Sequence, residues 1–383
     1  MALRIPLGAP LGLLAFACGT APADEPVGGT SSTGSTAGDE IPTSAASSVT
    51  PPGDTAGADG TTGHVSSGSS GGSASSGSDS GVPAYPLDDV LRLHHVQVKG
   101  THNSYHVEPD LPFDPSHEYT HAALDVQLAS QGVRAFELDI HEQPDGSLAV
   151  YHIAAVDSQT TCRTFNDCLL TIQGWSDANP GHMPIVVWLE IKDTTGGVPI
   201  DDLDMVDSAV RGVFSDAQLL EPDDVRGDYP TLQAAVSDVG WPTLGEVRDT
   251  VLFVVLDAEH GAGYSQNYST VAGRAMFVRV GADQFDSPVA AVAKLGSSDQ
   301  AGIDAAHAAN LLIATNVCSA DESDKSCFAQ LETARDAGIH MLKDDIPAMI
   351  PDREYWMDLD GNPALCNPVT APERCTSAAI EDL

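Results

Sequence analysis

From about residue 92 onward, short apolar and β-branched runs alternate with stretches in which apolar residues recur at helical spacing. The runs read as strands over residues 96–100, 135–140, 148–152, 185–191, 251–256, 275–280, 311–315 and 339–342. Helices are expected between them over residues 121–131, 164–178, 201–214, 301–309 and 326–337. Strands that are apolar throughout suit a parallel sheet covered on its outer face by helices. Seven or eight such βα units in about 300 residues predict an α/β fold of the TIM-type (β/α) barrel class, with room for irregular units, rather than an open sheet.

Upstream the pattern is lost. Residues 19–84 are nearly all Gly, Ser, Thr, Ala, Pro and Asp, and such a composition cannot bury enough surface to offset its ordering entropy. The first 17 residues read as an export signal: Arg4 is the only charge, Leu11, Leu13, Leu14 and Phe16 form the apolar stretch, and Ala15-Phe16-Ala17 is a small-x-small cleavage site. Pro6 and Pro10 break the stretch, which is also too short to span a bilayer. Cleavage after Ala17 would leave Cys18 at the mature N-terminus, the arrangement of an acylated bacterial lipoprotein. The expected organisation is a signal peptide over 1–17, a lipid-anchor Cys18 and disordered linker over 18–85, and one folded domain over 86–383. The expected destination is the cell envelope, on the outer surface or periplasmic face, with plain secretion as the alternative.

Charge narrows the partners. Lys and Arg number 17 against 55 Asp and Glu, a net charge of −38, which excludes a phosphate-backbone grip on nucleic acid. It also opposes direct adsorption to anionic lipid, so contact with a membrane is expected through the anchor. Of the 7 cysteines, Cys18 stands apart and the rest fall into close pairs, Cys162 with Cys168, Cys318 with Cys327 and Cys366 with Cys375. Short disulfide loops in an exported protein are the natural reading. Zinc is the weaker alternative, because no pair has CxxC spacing.

Chemistry-bearing residues gather at strand ends, where a barrel places its active site. Thr101-His102-Asn103-Ser104-Tyr105 follows the first strand, Glu137 and Asp139 lie in the second, His152 ends its companion arm, and Glu190 and Lys192 end the next. Glu137 and Asp139 are two apart and so share a face. Two inward carboxylates repel unless something neutralises them, and a hard divalent cation with oxygen ligands does so. Glu190 and the amide oxygen of Asn103 would complete its shell, with His102 and His152 flanking it as acid, base or charged donor. His94, His95, His106, His117 and His121 read as loop and helix-surface residues. Met341, Met349 and Met357 read as packing or loop residues, and Tyr355 with Trp356 as a packed aromatic pair.

Taken together, THNSYH at 101–106, FELDIH at 136–141, YH at 151–152 and LEIKD at 189–193 resemble the catalytic X-region of calcium-dependent phosphoinositide-specific phospholipase C, in its secreted bacterial branch. The segment from Thr161 through CRTFNDCLLTIQGW and NPGHMPIVVWLEIKD, and the end CNPVTAPERC at 366–375, are similar to that branch in order and spacing. The resemblance covers about residues 92–383. It implies calcium ligands at Asn103, Glu137, Asp139 and Glu190 and catalytic histidines at His102 and His152. It implies attack by the inositol 2-hydroxyl on the adjacent phosphodiester of a phosphatidylinositol-type substrate, releasing diacylglycerol and a cyclic inositol phosphate. Glu137 or Glu190 would take the hydroxyl proton. Lys192, Asp257 and Arg279 are candidates for substrate phosphate or inositol hydroxyls, Lys192 equally for a structural ion pair. The run Lys343-Asp344-Asp345 has no assigned role in this reading, and the barrel is expected to act as a monomer.

Two other readings stay open on the residues alone. Glycerophosphodiester phosphodiesterases and sphingomyelinase D enzymes use similar barrels, but their first motif continues from His into Arg-Gly, whereas His102 is followed by Asn103 and Ser104. A non-catalytic surface lipoprotein would tolerate loss of a histidine or carboxylate, and none is missing.

Overall fold

The computed structural model describes residues 85–192 and 203–381. The export signal, Cys18 and the linker up to residue 84 lie outside the described residues, as do Asp193 and the first two residues of the helix expected from 201. In chain order the strands are β1 (Val96–Thr101), β2 (Val133–Glu142), β3 (Leu148–Val150), β4 (Ile185–Ile191), β5 (Val251–Val255), β6 (Met276–Val280), β7 (Val292–Lys294), β8 (Leu312–Cys318), β9 (Met341–Asp344) and β10 (Ala364–Cys366). The helices are α1 (Leu124–Ser130), α2 (Phe165–Ala178), α3 (Asp204–Val213), α4 (Pro222–Arg226), α5 (Leu232–Val239), α6 (Leu244–Val247), α7 (Ala258–Tyr264), α8 (Gln300–Ala308) and α9 (Asp324–Asp336).

Eight of the strands run parallel in the order β1-β2-β4-β5-β6-β7-β8-β9, and β9 pairs back with β1 to close the expected barrel. Closure is tightest at Gly100. A Cβ there would lie 2.9 Å from the Lys343 side chain and 3.0 Å from the Ala135 Cβ, so only glycine lets β1, β2 and β9 meet. The staves are as apolar as the sequence pattern requires. All of β5 is buried, and in β4 only Glu190 breaks the buried run. Leu189, fully buried in that stave, is the kind of position where truncation to Ala costs about 2–5 kcal/mol.

The outer helices bury one stripe each. In α2 the buried residues Phe165, Cys168, Leu169, Ile172 and Ser176 follow helical spacing. Thr164 starts this helix by accepting the Asp167 amide, and Asp167 returns the bond to the Thr164 amide. The three expected disulfides form, Cys162–Cys168 at the start of α2, Cys318–Cys327 between β8 and α9, and Cys366–Cys375 after β10.

The structure adds elements that the pattern does not announce. β7 and β10 are three residues each, and β7 sits in the alanine-rich segment 290–294, where no β-branched run marks a strand. Between β4 and β5 the crossover carries four short helices where one was expected, and α4 and α6 are too short to display a period. The arm expected over residues 148–152 is a hairpin partner of β2, with Ile140 opposite Val150 and Glu142 opposite Leu148. β2 thus rises above the barrel rim and β3 descends, returning the chain toward the level of Asp139 at His152.

Candidate active site

The β1 end is latched onto β2 before any chemistry is considered. The Ser104 amide donates to the Glu137 carbonyl at 2.9 Å, and the Ser104 hydroxyl accepts the Glu137 amide at 2.8 Å. Gln127 of α1 donates to the Ser104 carbonyl at 2.6 Å. Asn103, between them, adopts φ +42°, a left-handed conformation that asparagine tolerates better than most residues. The turn sets the buried Asn103 side chain beside Tyr105, whose hydroxyl is 3.5 Å from its Oδ1.

Glu137 and Asp139 project from one face of β2, and the register of β2 with β4 places Glu190 directly opposite Asp139. One oxygen from each of Glu137, Asp139 and Glu190 lies within 4.8 Å of the others. The structure thus brings these three carboxylates together. Asp139 is fully buried, and neither of its oxygens completes a hydrogen bond. The nearest cation is Lys192 Nζ, 3.1 Å from Oδ2 but without hydrogen-bond alignment. Burial pushes the Asp139 pKa up, with Lys192 opposing. A buried, hydrogen-bond-poor carboxylate between two others is the donor set a hard divalent cation fits.

Lys192 also meets Glu190 at 2.6 Å, so in this structure it is an ion-pair partner of two site carboxylates. Burial of Glu190 works against its ionisation, but Lys192 outweighs that and lowers its pKa. Two further lysines were not anticipated as site residues. Lys343 of β9, fully buried, pairs with Glu137 Oε2, and burial brings its pKa down to about 7. Lys294, at the end of β7, lies 3.6 Å from the same oxygen, and burial lowers its pKa too. Lys294 escapes notice in the sequence because its strand does; Lys343 stands in a charged run with no motif around it.

Each histidine is held by an aspartate, His102 by one 243 positions away and His152 by one only 5 positions on. His102 Nδ1 is 2.9 Å from Asp345 Oδ1, and Asp345 Oδ2 accepts the Ala320 amide at 3.0 Å. The opposite ring nitrogen, Nε2, is 3.6 Å from Glu137 Oε1. Asp345 therefore fixes the ring so that Nε2 faces the carboxylates of the site. His152 Nδ1 donates to Asp157 Oδ2 at 2.7 Å, leaving Nε2 as the nitrogen that exchanges a proton. Burial lowers the His152 pKa, and the Asp157 hydrogen bond works against that shift.

Asp257 follows β5 at the start of α7, and Arg279 lies within β6. Asp257 accepts the Ile191 amide at 2.6 Å, and burial raises its pKa; Arg279 Nε donates to the Leu256 carbonyl at 2.7 Å. Both therefore brace the rim between β4, β5 and β6. Of the histidines read as surface residues, His94, His106, His117 and His121 are instead buried. They are held by partners that only folding brings near: His106 by the Tyr119 carbonyl and Asp157, His121 by the His102 carbonyl, and His94 by the Trp241 amide. Met341 and Met357 are buried and Met349 is exposed, while Tyr355 is buried with its hydroxyl on Asp344 at 2.5 Å.

A sequence profile described as "Phosphoinositide phospholipase C, Ca2+-dependent" matches residues 91–149 and 146–368. A search of curated protein sequences finds no significant match. Among solved structures, the chain is similar to a calcium-dependent phosphatidylinositol-specific phospholipase C from Streptomyces antibioticus. The TM-score is 0.52 at 18% identity, covering 67% of this chain and 95% of that one. It is similar also to a calcium-dependent phosphoinositol-specific phospholipase C from a Pseudomonas species in a myoinositol complex, with TM-score 0.51, 20% identity, and 67% and 91% coverage. At these identities the structural likeness speaks for the fold.

Proposed function

The chain belongs to the calcium-dependent phosphoinositide phospholipase C family, and from that membership we propose how its residues cleave a phosphatidylinositol-type phosphodiester. The observation that carries the assignment of residues is the carboxylate trio of Glu137, Asp139 and Glu190, with His102 3.6 Å from Glu137. Asn103, Glu137, Asp139 and Glu190 would hold the calcium ion. When bound, calcium supplies the charge that lowers the inositol 2-hydroxyl pKa and offsets the charge growing on phosphorus.

The remaining work falls to the side chains. Glu190, the most open of the three carboxylates, accepts the 2-hydroxyl proton, whereas Glu137 is enclosed by Lys343, Lys294 and His102. His102 donates from Nε2 to a phosphate oxygen as attack proceeds. His152 gives its Nε2 proton to the departing glycerol oxygen, so that diacylglycerol leaves and the five-membered cyclic phosphodiester remains. The same nitrogen then takes a proton from the water that opens the ring.

The rim supports a lipid substrate. Leu111 is 87% exposed and Phe113 56%, in the loop after β1; Val156 stands exposed beside His152, and Met349 and Ile350 follow β9. All follow segments that deliver site residues, so the apolar rim and the site share one end of the barrel. Scattered apolar exposure is ordinary, but exposure on the loops that follow site-bearing strands suits insertion among acyl chains. Export, with acylation of Cys18, would place the domain on a surface from which it reaches lipid. Release of a Cys18→Ser protein from the membrane fraction is the expected outcome, and retention would refute the anchor.

The test of substrate class is incubation of the purified domain with phosphatidylinositol, sphingomyelin and glycerophosphocholine, in calcium or in chelator. Calcium-dependent cleavage of phosphatidylinositol alone is expected. Turnover of either other substrate in preference would replace this reading with a glycerophosphodiesterase-like or sphingomyelinase D-like one.

A further inference from the structure

A second group of ligating side chains lies beside the carboxylate trio. His106, His117, His152 and Asp157 each offer one ligand atom, and the four lie within 4.8 Å of one another. Three ring nitrogens converge on one carboxylate. His106 Nε2 is 2.9 Å from Asp157 Oδ1, and Oδ2 is approached by His117 Nδ1 at 2.6 Å and His152 Nδ1 at 2.7 Å. His106, His117 and Asp157 are buried.

The protons do not sort simply. His106 Nδ1 is 3.0 Å from the Tyr119 carbonyl, which can only accept, so Nδ1 carries a proton. In a neutral ring Nε2 is then a lone pair facing the lone pairs of Asp157 at 2.9 Å. His117 Nδ1 crowds the same Asp157 oxygen that His152 Nδ1 already occupies, at 2.6 Å and 2.7 Å. Such contacts are relieved either by extra protons or by a cation between the four groups. The Tyr119 carbonyl on His106 Nδ1 is also the outer hydrogen bond that fixes a metal-binding imidazole with Nε2 free.

We propose that His106, His117, His152 and Asp157 form a binding site for a transition-metal dication of the zinc type, separate from the calcium site, and that its occupancy arrests catalysis. Three imidazole nitrogens and one carboxylate oxygen are a four-coordinate set that zinc accepts and that calcium, which takes oxygen, does not. Tetrahedral ligands at roughly 2.0–2.1 Å from zinc stand about 3.3 Å apart. The present contacts of 2.6–2.9 Å must therefore open by under an ångström. Coordination through His152 Nδ1 displaces its hydrogen bond to Asp157 and removes the free imidazole. The ring then keeps its one proton on Nε2 and cannot alternate between acid and base. Any extra protons on the histidines leave as the ion enters, so binding weakens as pH falls. The arrest, though not the binding, rests on the acid role given to His152 above.

Calorimetric titration of the intact exported protein with zinc chloride, in saturating calcium, tests the site directly. One equivalent should bind, calcium should not compete, and phosphatidylinositol cleavage should fall in step with occupancy. His117→Ala, which leaves the calcium ligands and both catalytic histidines in place, should keep its calcium-dependent activity, weaken zinc binding roughly 10²-fold and lose the inhibition. Cobalt substituted into the wild-type protein should give the intense visible bands of a tetrahedral centre, a readout that does not depend on any variant folding. Absence of zinc binding, displacement of zinc by calcium, or unchanged affinity in His117→Ala would overturn the site. Binding without inhibition would uphold the site and refute the acid role of His152.

Discussion

Asp345 and His102, 243 positions apart in the chain, meet at 2.9 Å, and the second oxygen of Asp345 is committed to the Ala320 amide. That second bond dictates what a substitution would do. In Asp345→Asn the Ala320 N–H still requires an acceptor, so the amide oxygen stays there and the NH2 turns toward His102. Nδ1 must then accept, and the ring loses the carboxylate that orients it and stabilises charge arising on it during attack. Since charged hydrogen bonds are about twice as strong as neutral ones, kcat/KM should fall by about 10²-fold with the circular dichroism spectrum unchanged. Wild-type kinetics would show that His102 needs no such orientation.

Asp139→Asn should move activity and stability in opposite directions. Loss of a direct calcium ligand should weaken calcium binding by roughly 10²-fold and the rate with it. In chelator, the variant relieves the repulsion among three close carboxylates while Lys192 keeps its pairing with Glu190, so its unfolding midpoint in urea should rise. A lower midpoint in chelator would mean that the Lys192 ion pair already compensates Asp139.

The strand-end chemistry is legible in the sequence because it is local. Glu137 and Asp139 share a face by the two-residue period, and Glu190 and His152 mark the ends of their runs. The aspartates that orient the histidines are not legible in this way. Asp345 and Asp157 occupy loops, and nothing in their neighbours' types says which ring they will meet. Lys294 is hidden by a strand too short to give a pattern, and the buried histidines by partners that are carbonyls and amides of distant segments.

Lys343→Met should destabilise the protein chiefly when calcium is absent. Lys343 is buried against Glu137; removing one partner of a buried pair costs about 3–5 kcal/mol when the other charge is left alone, and Lys294, 3.6 Å from the same oxygen, should reduce that cost. Saturating calcium should recover part of the loss. Equal destabilisation with and without calcium, measured by urea unfolding, would separate Glu137 from the metal site.

Acid should destabilise the barrel from its histidines as well as its carboxylates. Burial lowers the His94 pKa to about 3, and burial takes that of His340 well below its ordinary value. The unfolded chain therefore binds protons first. The stability held by these neutral rings is complete above pH 6.5, and for His94 it declines toward pH 3. The slope for His94 is about 1.4 kcal/mol per pH unit. His94→Asn, which keeps an acceptor for the Trp241 amide, should flatten the fall between about pH 6 and 4 in urea unfolding. An unchanged slope would contradict it.

The apolar rim should matter only at an interface. Leu111→Asp with Phe113→Asp should leave turnover of a short-chain, water-soluble inositol phosphodiester intact. On vesicles, where burying each such side chain contributes about 1.5–3 kcal/mol, activity should drop at least roughly tenfold. Equal losses on both substrates would place these residues in the site.

The central claim is cleavage by the substrate's own 2-hydroxyl at the Glu137, Asp139 and Glu190 site. Phosphorus NMR of phosphatidylinositol incubated with the purified protein tests it most directly. With calcium, the cyclic inositol phosphodiester should appear first and give way to the open monophosphate, and in excess chelator neither should form. Turnover that persists in chelator, or a monophosphate formed from the start with no cyclic species, would contradict the account.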